Sequence, residues 1–380
     1  MKSGRGRCAP RPRTPDGQPT AQHDRMNATT DQRKQEHLDV LARDPDVDRR
    51  KAYFDEFRLT HRALPEIARD AVDAAVTFLG RRLSFPLIIS AMTGGEGRRM
   101  QRINRNLALA AEAEAVGLGV GSQRVMFSHP AARRSFELRP FAPHALLLAN
   151  LGAVQLNYGF GLAECRAAVA AVGADALCLH LNPLQEAIQP GGDTNFHGLA
   201  AKIGRIARAL PVPVIVKEVG AGLSLADAQR LVRQGVRILD VAGAGGTSWS
   251  RIEHGRRPAA ESGDQLGLLF QDWGVPTPRA LLALRPLRGK IALLASGGLR
   301  SGLDMVKAVV LGATVCGIAA PFLEPARRSP EAVRAVIRRL RREFETAMFL
   351  LGCRRVADFR GDLSRLQNHS VGARRPAIQV

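Results

Sequence analysis

From Phe85 onward the chain alternates between two textures. A short apolar run ends in a polar or glycine-rich cluster, and an Ala/Leu/Arg stretch of helical period follows. Eight such runs recur: 85–90 (FPLIIS), 116–121 (VGLGVG), 145–150 (ALLLAN), 176–181 (ALCLHL), 212–217 (VPVIVK), 237–242 (RILDVA), 291–296 (IALLAS) and 314–319 (TVCGIA). Each is apolar on both faces, as a parallel strand covered by helices must be. The stretches 225–235 and 301–311 read as helices, and Ser224 and Ser301 stand where N-cap hydroxyls are wanted. The longest apolar run, 308–323, contains Gly and Pro and reads as a buried strand, not a membrane span.

Eight βα units in about 240 residues match the count and size of a TIM (β/α)8 barrel, predicted here over 85–365. A doubly wound open sheet is the competing arrangement. The barrel is favoured because all eight runs end in unusual residues, and closure gathers those ends on one face. Residues 31–84, with mixed charge and short helical pieces, are expected to pack on the barrel as an N-terminal extension. The stretch 329–351 sets Arg among apolar residues at helical spacing and reads as the last helix, followed by a tail over 366–380. Residues 1–30 are rich in Arg, Pro, Thr, Gln and Gly and cannot bury enough surface to offset their ordering entropy; they read as a disordered basic leader. Met26 is an alternative start near its end.

Charge changes this picture less than its size suggests. The formal net charge is +20 and the pI about 11.1. Only seven of the 55 basic residues are lysine, the charge is spread along the chain, and no aromatic residues interleave it as base-stacking platforms. A nucleic-acid partner is therefore not expected, whereas an anionic substrate gains from the field. Cys8, Cys165, Cys178, Cys316 and Cys353 form no CxxC pair and are odd in number, so they suggest neither a metal site nor a disulfide framework. With a polar N-terminus and no signal peptide, reduced thiols in a cytoplasm are the expected setting.

The candidate chemistry lies at the strand ends: AMTGG (91–95), GSQR (121–124), NLG (150–152), HLNPLQE (180–186), KEVG (217–220), GAGGTSW (243–249), SGGLR (296–300) and AAPF (319–322). Barrels hold phosphate with the last two loops and a helix N-terminus. Gly297 and Gly298 allow close backbone approach, Arg300 adds a cation, and Ala319 and Ala320 leave amides accessible. Lys217 ends the fifth run as a cation suited to an anionic ring; an ion pair with Glu218 and Schiff-base chemistry are its alternatives. Glu186 suits a Mg²⁺ shared with substrate phosphates. His180 is either a base or a structural side chain. RKQEH (33–37) places Arg and Lys side by side, suited to a diphosphate, and Arg124 could add another cation.

Together RKQEH, AMTGG, GSQR, HLNPLQE with QPGGDTNF (189–196) behind it, VKEVG, GAGGTSW and SGGLR resemble, in that order and over almost the whole chain past the leader, the type 2, FMN-dependent isopentenyl-diphosphate isomerases. The resemblance implies interconversion of isopentenyl and dimethylallyl diphosphate by allylic proton transfer. It also implies reduced FMN, with NADPH as reductant, Mg²⁺, and a homo-oligomer, tetramer or octamer. By the resemblance Met92, Thr93, Gly94, Ser122, Asn150, Lys217, Thr247, Gly298, Arg300, Ala319 and Ala320 contact FMN. Arg33, Lys34, Ser122, Gln123, Arg124 and Gln185 contact substrate, Glu186 binds Mg²⁺, and Gln185 and Lys217 carry the catalytic roles. Many members have Ser where this chain has Ala242. An FMN-dependent 2-hydroxy-acid oxidase shares the barrel but calls for His and then Gly-Gly-Arg where GAGGTSW stands. An inosinate-dehydrogenase-like barrel needs a nucleophilic Cys in a glycine-rich loop, and a basic RNA-binding protein is the non-enzymatic rival.

Overall fold

The computed structural model describes residues 36–367 except 38, 42, 52, 93 and 257–263. The leader, Met26, Cys8 and most of the 366–380 tail lie outside the described residues. Among those described, no helix is long and apolar enough to cross a membrane.

The eight apolar runs all form strands, and they close. Strands β3 (Leu87–Ile89), β4 (Gly117–Gly119), β5 (Leu147–Gly152), β6 (Ala176–His180), β7 (Val214–Lys217), β8 (Ile238–Asp240), β9 (Ala292–Ser296) and β10 (Val315–Ile318) make one parallel barrel, β10 pairing with β3. Cys316 faces Leu87 across that seam. Closure rules out the open doubly wound sheet. Helices Leu225–Arg233 and Gly302–Val310 fall where expected, and Ser224 and Ser301 cap them by accepting from Asp227 N and Asp304 N. The stretch 329–351 folds as helix Pro330–Leu350, which packs across helices Arg98–Ala113, Gly302–Val310 and Ala320–Arg328.

Period-two alternation separates two cores. Ile88, Leu148, Cys178, Ile215, Leu294 and Val315 point into the barrel, while Leu87, Ile89, Leu147, Val216 and Cys316 point out against the helices. The lower end of the barrel is closed by a hairpin that the sequence pattern did not signal. Its strands β1 (Val76–Phe78) and β2 (Arg81–Leu83) are joined by Leu79 and Gly80, with φ of 52° and 75°. That geometry is the primed turn hairpins prefer, but Leu is an unusual occupant of its first position. Phe78 and Leu83 pack with the inward residues of the barrel and plug its floor. Phe78→Ala should lower the unfolding free energy by about 3–5 kcal/mol, read from urea denaturation, because the barrel interior cannot collapse to fill the void.

Candidate active site

The eight strand ends surround one cavity of about 540 Å³. Met92, Gly94, Ser122, Arg124, Asn150, Gln185, Glu186, Lys217, Thr247, Gly298, Arg300, Ala319 and Ala320 all line it, so most of the expected site residues meet in one place. Arg33, Lys34 and Thr93 lie outside the described residues. Gln123 is the exception among those described. It is fully buried behind the wall, donating to Ala168 O and accepting from Asn150 N at 2.9 Å each, so it braces β5 and does not face the cavity.

The floor is polar because each inward strand face changes character at its last residue. Asn150, His180, Lys217 and Ser296 line the cavity, with Asp240 buried beneath them. Asn150 Oδ1 meets His180 Nδ1 at 2.9 Å, and Ser296 Oγ donates to Asp240 Oδ1 at 2.7 Å. Burial, with the nearby Lys217 charge, drives the His180 pKa down to about 3, so it is a neutral ring at physiological pH. Lys217 Nζ donates to the Glu218 carbonyl at 2.6 Å. The Glu218 carboxylate turns instead into its own loop, where Val219, Gly220, Ala221 and Gly222 amides donate to Oε2. The ion pair considered for Lys217 is therefore absent. Ala242 holds a positive φ of 35°, its amide on Asp240 Oδ1 at 3.2 Å.

One wall is a chain of carboxylates and amides. The helix Pro183–Ile188 starts at the proline and carries Gln185 and Glu186 on its first turn, where a carboxylate suits the helix dipole. Asn182 Nδ2 donates to Glu186 Oε1 at 2.8 Å and to Gln185 Oε1 at 3.1 Å; Gln189 Nε2 and Asp193 N bind Glu186 Oε2. Arg124 reaches Asp193 at 2.6 Å, and Gln155 shares the same oxygen at 2.9 Å. Gln185 Nε2 donates to Glu253 Oε1 at 2.8 Å. Glu253 is fully buried, yet its pKa falls to about 2: burial pushes it up, and His37, Arg256 and Gln185 more than offset that. His37 lies 3.0 Å from Glu253 and edge-on to Trp249.

The opposite end is a cradle of bare backbone. Gly297 and Gly298 have φ of 94° and 83°, and a Cβ on Gly297 would stand 2.1 Å from Gly243 O. A Cβ on Gly246 would stand 2.8 Å from Gly298 N. Arg300 sits at the rim, its amide bound to Asp304 Oδ2 at 3.0 Å, and helix Ala320–Arg328 begins beside it. A phosphate fits this combination of cavity-lining glycine backbone, helix N-terminus and guanidinium. Among the described residues no group of three or more His, Cys, Asp or Glu stands ready for a metal. Glu186 alone fits Mg²⁺, which takes one or two carboxylates and completes its shell with phosphate and water.

Sequence reasoning overlooked Glu253, Arg256, Asn182 and Asp193. Asn182 and Asp193 stood inside quoted motifs, but Glu253 is joined to His37 across 216 residues, a distance no local pattern spans. The described cysteines carry no nucleophile: burial raises Cys178 and Cys165 to about 12 and pushes Cys316 well above the ordinary thiol range.

Residues 185–366 match the FMN-dependent dehydrogenase family model. The chain is 57% identical over 339 residues to an isopentenyl-diphosphate delta-isomerase of Paracoccus zeaxanthinifaciens, covering 88% of this chain and 97% of that protein. It is 52% identical to the namesake of Hydrogenovibrio crunogenus (86% and 95%) and 45% identical to that of Nostoc sp. (90% and 98%). Among solved structures, a flavocytochrome b2 variant aligns with a TM-score of 0.63 at 17% identity, covering 93% of this chain and 89% of that one. A mandelate oxidase variant with an FMN adduct aligns at 0.57 and 20%, covering 84% and 89%. These two likenesses show the fold alone; the curated relatives go further, and with them the chain belongs to the isopentenyl-diphosphate delta-isomerases of the FMN-dependent type.

Proposed function

We propose that the chain interconverts isopentenyl and dimethylallyl diphosphate by allylic proton transfer, with FMN and Mg²⁺ bound in the strand-end cavity. One observation carries the reading: a glycine-lined phosphate cradle and a carboxylate–amide wall face each other across a single cavity. Reduced FMN supplies the acid/base chemistry when bound, and NADPH is the proposed reductant.

The protein's own groups bind, orient and balance charge. Gly298, Arg300, Ala319 and Ala320 would take the cofactor phosphate, while Met92, Thr93, Gly94, Ser122, Asn150 and Thr247 would flank the rest of it. Lys217 offers an ammonium where an anionic ring would rest. Arg124, with Arg33 and Lys34, would meet the substrate diphosphate, and Glu186 would hold Mg²⁺, which would offset diphosphate charge. Gln185 is fixed from two sides, by Asn182 and Glu253, so its amide meets the substrate in one orientation. Glu253 stays ionised at neutral pH and, with His37 and Arg256, forms a neutralised hub behind it. A cytoplasmic tetramer or octamer belongs to the same reading, which light scattering on the purified chain measures. The 2-hydroxy-acid oxidase alternative finds no support at the loop after β8, where GAGGTSW occupies the place of its histidine.

The decisive experiment is a spectrum followed by an assay. The purified protein should be yellow, bleach with NADPH, and isomerise the five-carbon diphosphate anaerobically; a colourless protein that takes up no FMN refutes the reading. Glu186→Gln should weaken Mg²⁺-dependent turnover by about 10–100-fold while FMN stays bound. Unchanged Mg²⁺ dependence in a metal titration removes Glu186 from that role. Lys217→Ala should weaken FMN binding or slow reaction of the reduced form, losing a charge-assisted contact of about 1.5–3 kcal/mol; wild-type behaviour in both measurements takes Lys217 out of the site.

A further inference from the structure

Residues 47–51 add a layer to the cradle that no motif announces. Ser248 N donates to Val47 O at 2.8 Å, Arg49 N to Gly246 O and Lys51 N to Gly245 O at 3.2 Å each, and Asp48 faces Thr247 in an antiparallel bridge. A Cβ on Gly245 would stand 2.2 Å from Lys51 O. This N-terminal strap, the glycine loop and the β9 turn are thus stacked backbone on backbone.

Asp48 is the hub of that stack. Its Oδ1 accepts from Arg300 Nη2 and, at 3.2 Å, from Arg50 N. The second bond is a local Asx contact on a residue whose φ is 52°, in the left-handed region that side chains disfavour. Arg50 lines the cavity and is exposed, and its side chain makes no hydrogen bond or ion pair within the described residues. Arg124, Arg251 and Arg256 around the same site are all paired. Arg300 spends single contacts on Asp48 and on Leu299 O (2.9 Å), which leaves further N–H donors of its fork. A free cation on a strained backbone, beside a second cation aimed by a carboxylate, is completed by an anion.

We propose that Asp48, Arg50 and Arg300 form one clamp on the phosphate of the flavin nucleotide, Arg50 as a direct ligand and Asp48 as the positioning residue that aims Arg300 and holds Arg50 toward the cavity. The clamp rests on the FMN reading above. Riboflavin, which has the ring without the phosphate, separates the two.

The full-length chain, freed of flavin, is titrated with FMN and with riboflavin by fluorescence quenching, alongside Arg50→Gln, Asp48→Ala and Asp48→Asn. In Arg50→Gln and Asp48→Ala the FMN affinity should fall about tenfold, the loss of one charge-assisted contact, while riboflavin affinity holds. Asp48→Asn keeps an acceptor oxygen and should recover much of the loss. Arg50 is exposed, so its replacement leaves the fold intact. Equal weakening of both flavins, unchanged FMN affinity in Arg50→Gln, or tighter FMN binding in Asp48→Ala, which would make Asp48 a competitor of the phosphate, each overturns the clamp. A wild-type chain that binds riboflavin and FMN equally also overturns it and leaves the FMN site standing; one that binds neither removes the FMN reading as well.

Discussion

In a closed barrel of parallel strands every second side chain points inward and every strand ends on the same rim. Here that geometry meets a two-residue change of chemistry. Leu148 is followed on the inner face by Asn150, Cys178 by His180, Ile215 by Lys217, Ile238 by Asp240 and Leu294 by Ser296. The apolar layer is dry and sealed below by the hairpin, and the polar layer above it is the cavity floor. The boundary between core and site is therefore one step along each strand, and a slip of one residue would exchange the faces.

Burying carboxylates so close to the core is costly unless each is satisfied. Glu218 takes four amides of its own turn, and Asp240 takes a serine hydroxyl and an amide. Glu186 takes two side-chain amides and a main-chain one, and Glu253 takes His37, Arg256 and Gln185. Burial raises the pKa of Glu218 and Asp240 in spite of the Lys217 charge and their neutral donors, whereas at Glu253 His37, Arg256 and Gln185 outweigh it. The two kinds of acid lie in different places. Asp240 supports the floor through Ser296, Glu218 holds together the turn after β7, and Glu253 anchors the wall that presents Gln185.

The barrel was legible in the chain because its strands are local and apolar on both faces, and because each ends in a cluster such as SGGLR or HLNPLQE. Residues one strand-end from the cavity, such as Lys217 and Glu186, were legible for the same reason. Gln123 was misplaced because a motif position states that a side chain is near a strand end, not which way it turns. The hairpin escaped notice since Leu79 occupies a turn position where Asn or Gly is the recognisable signal. Glu253, Asp48 and Arg50 were hidden for another reason. His37 meets Glu253 after β8 and the strap meets Arg300 after β9, and no one of these segments carries a pattern that names another.

That long-range stitching bears on how the molecule is made. The strap leaves the ribosome first, yet its backbone partners at Gly245, Gly246 and Ser248 follow about two hundred residues later. Because domains assemble as the chain emerges and distant contacts pay their loop-closure entropy last, the early segment must wait unpaired while six barrel strands are synthesised. A ligand-ready pocket is thus a late product of biogenesis, and a bulky fusion placed ahead of the strap would obstruct its docking without touching a single barrel residue.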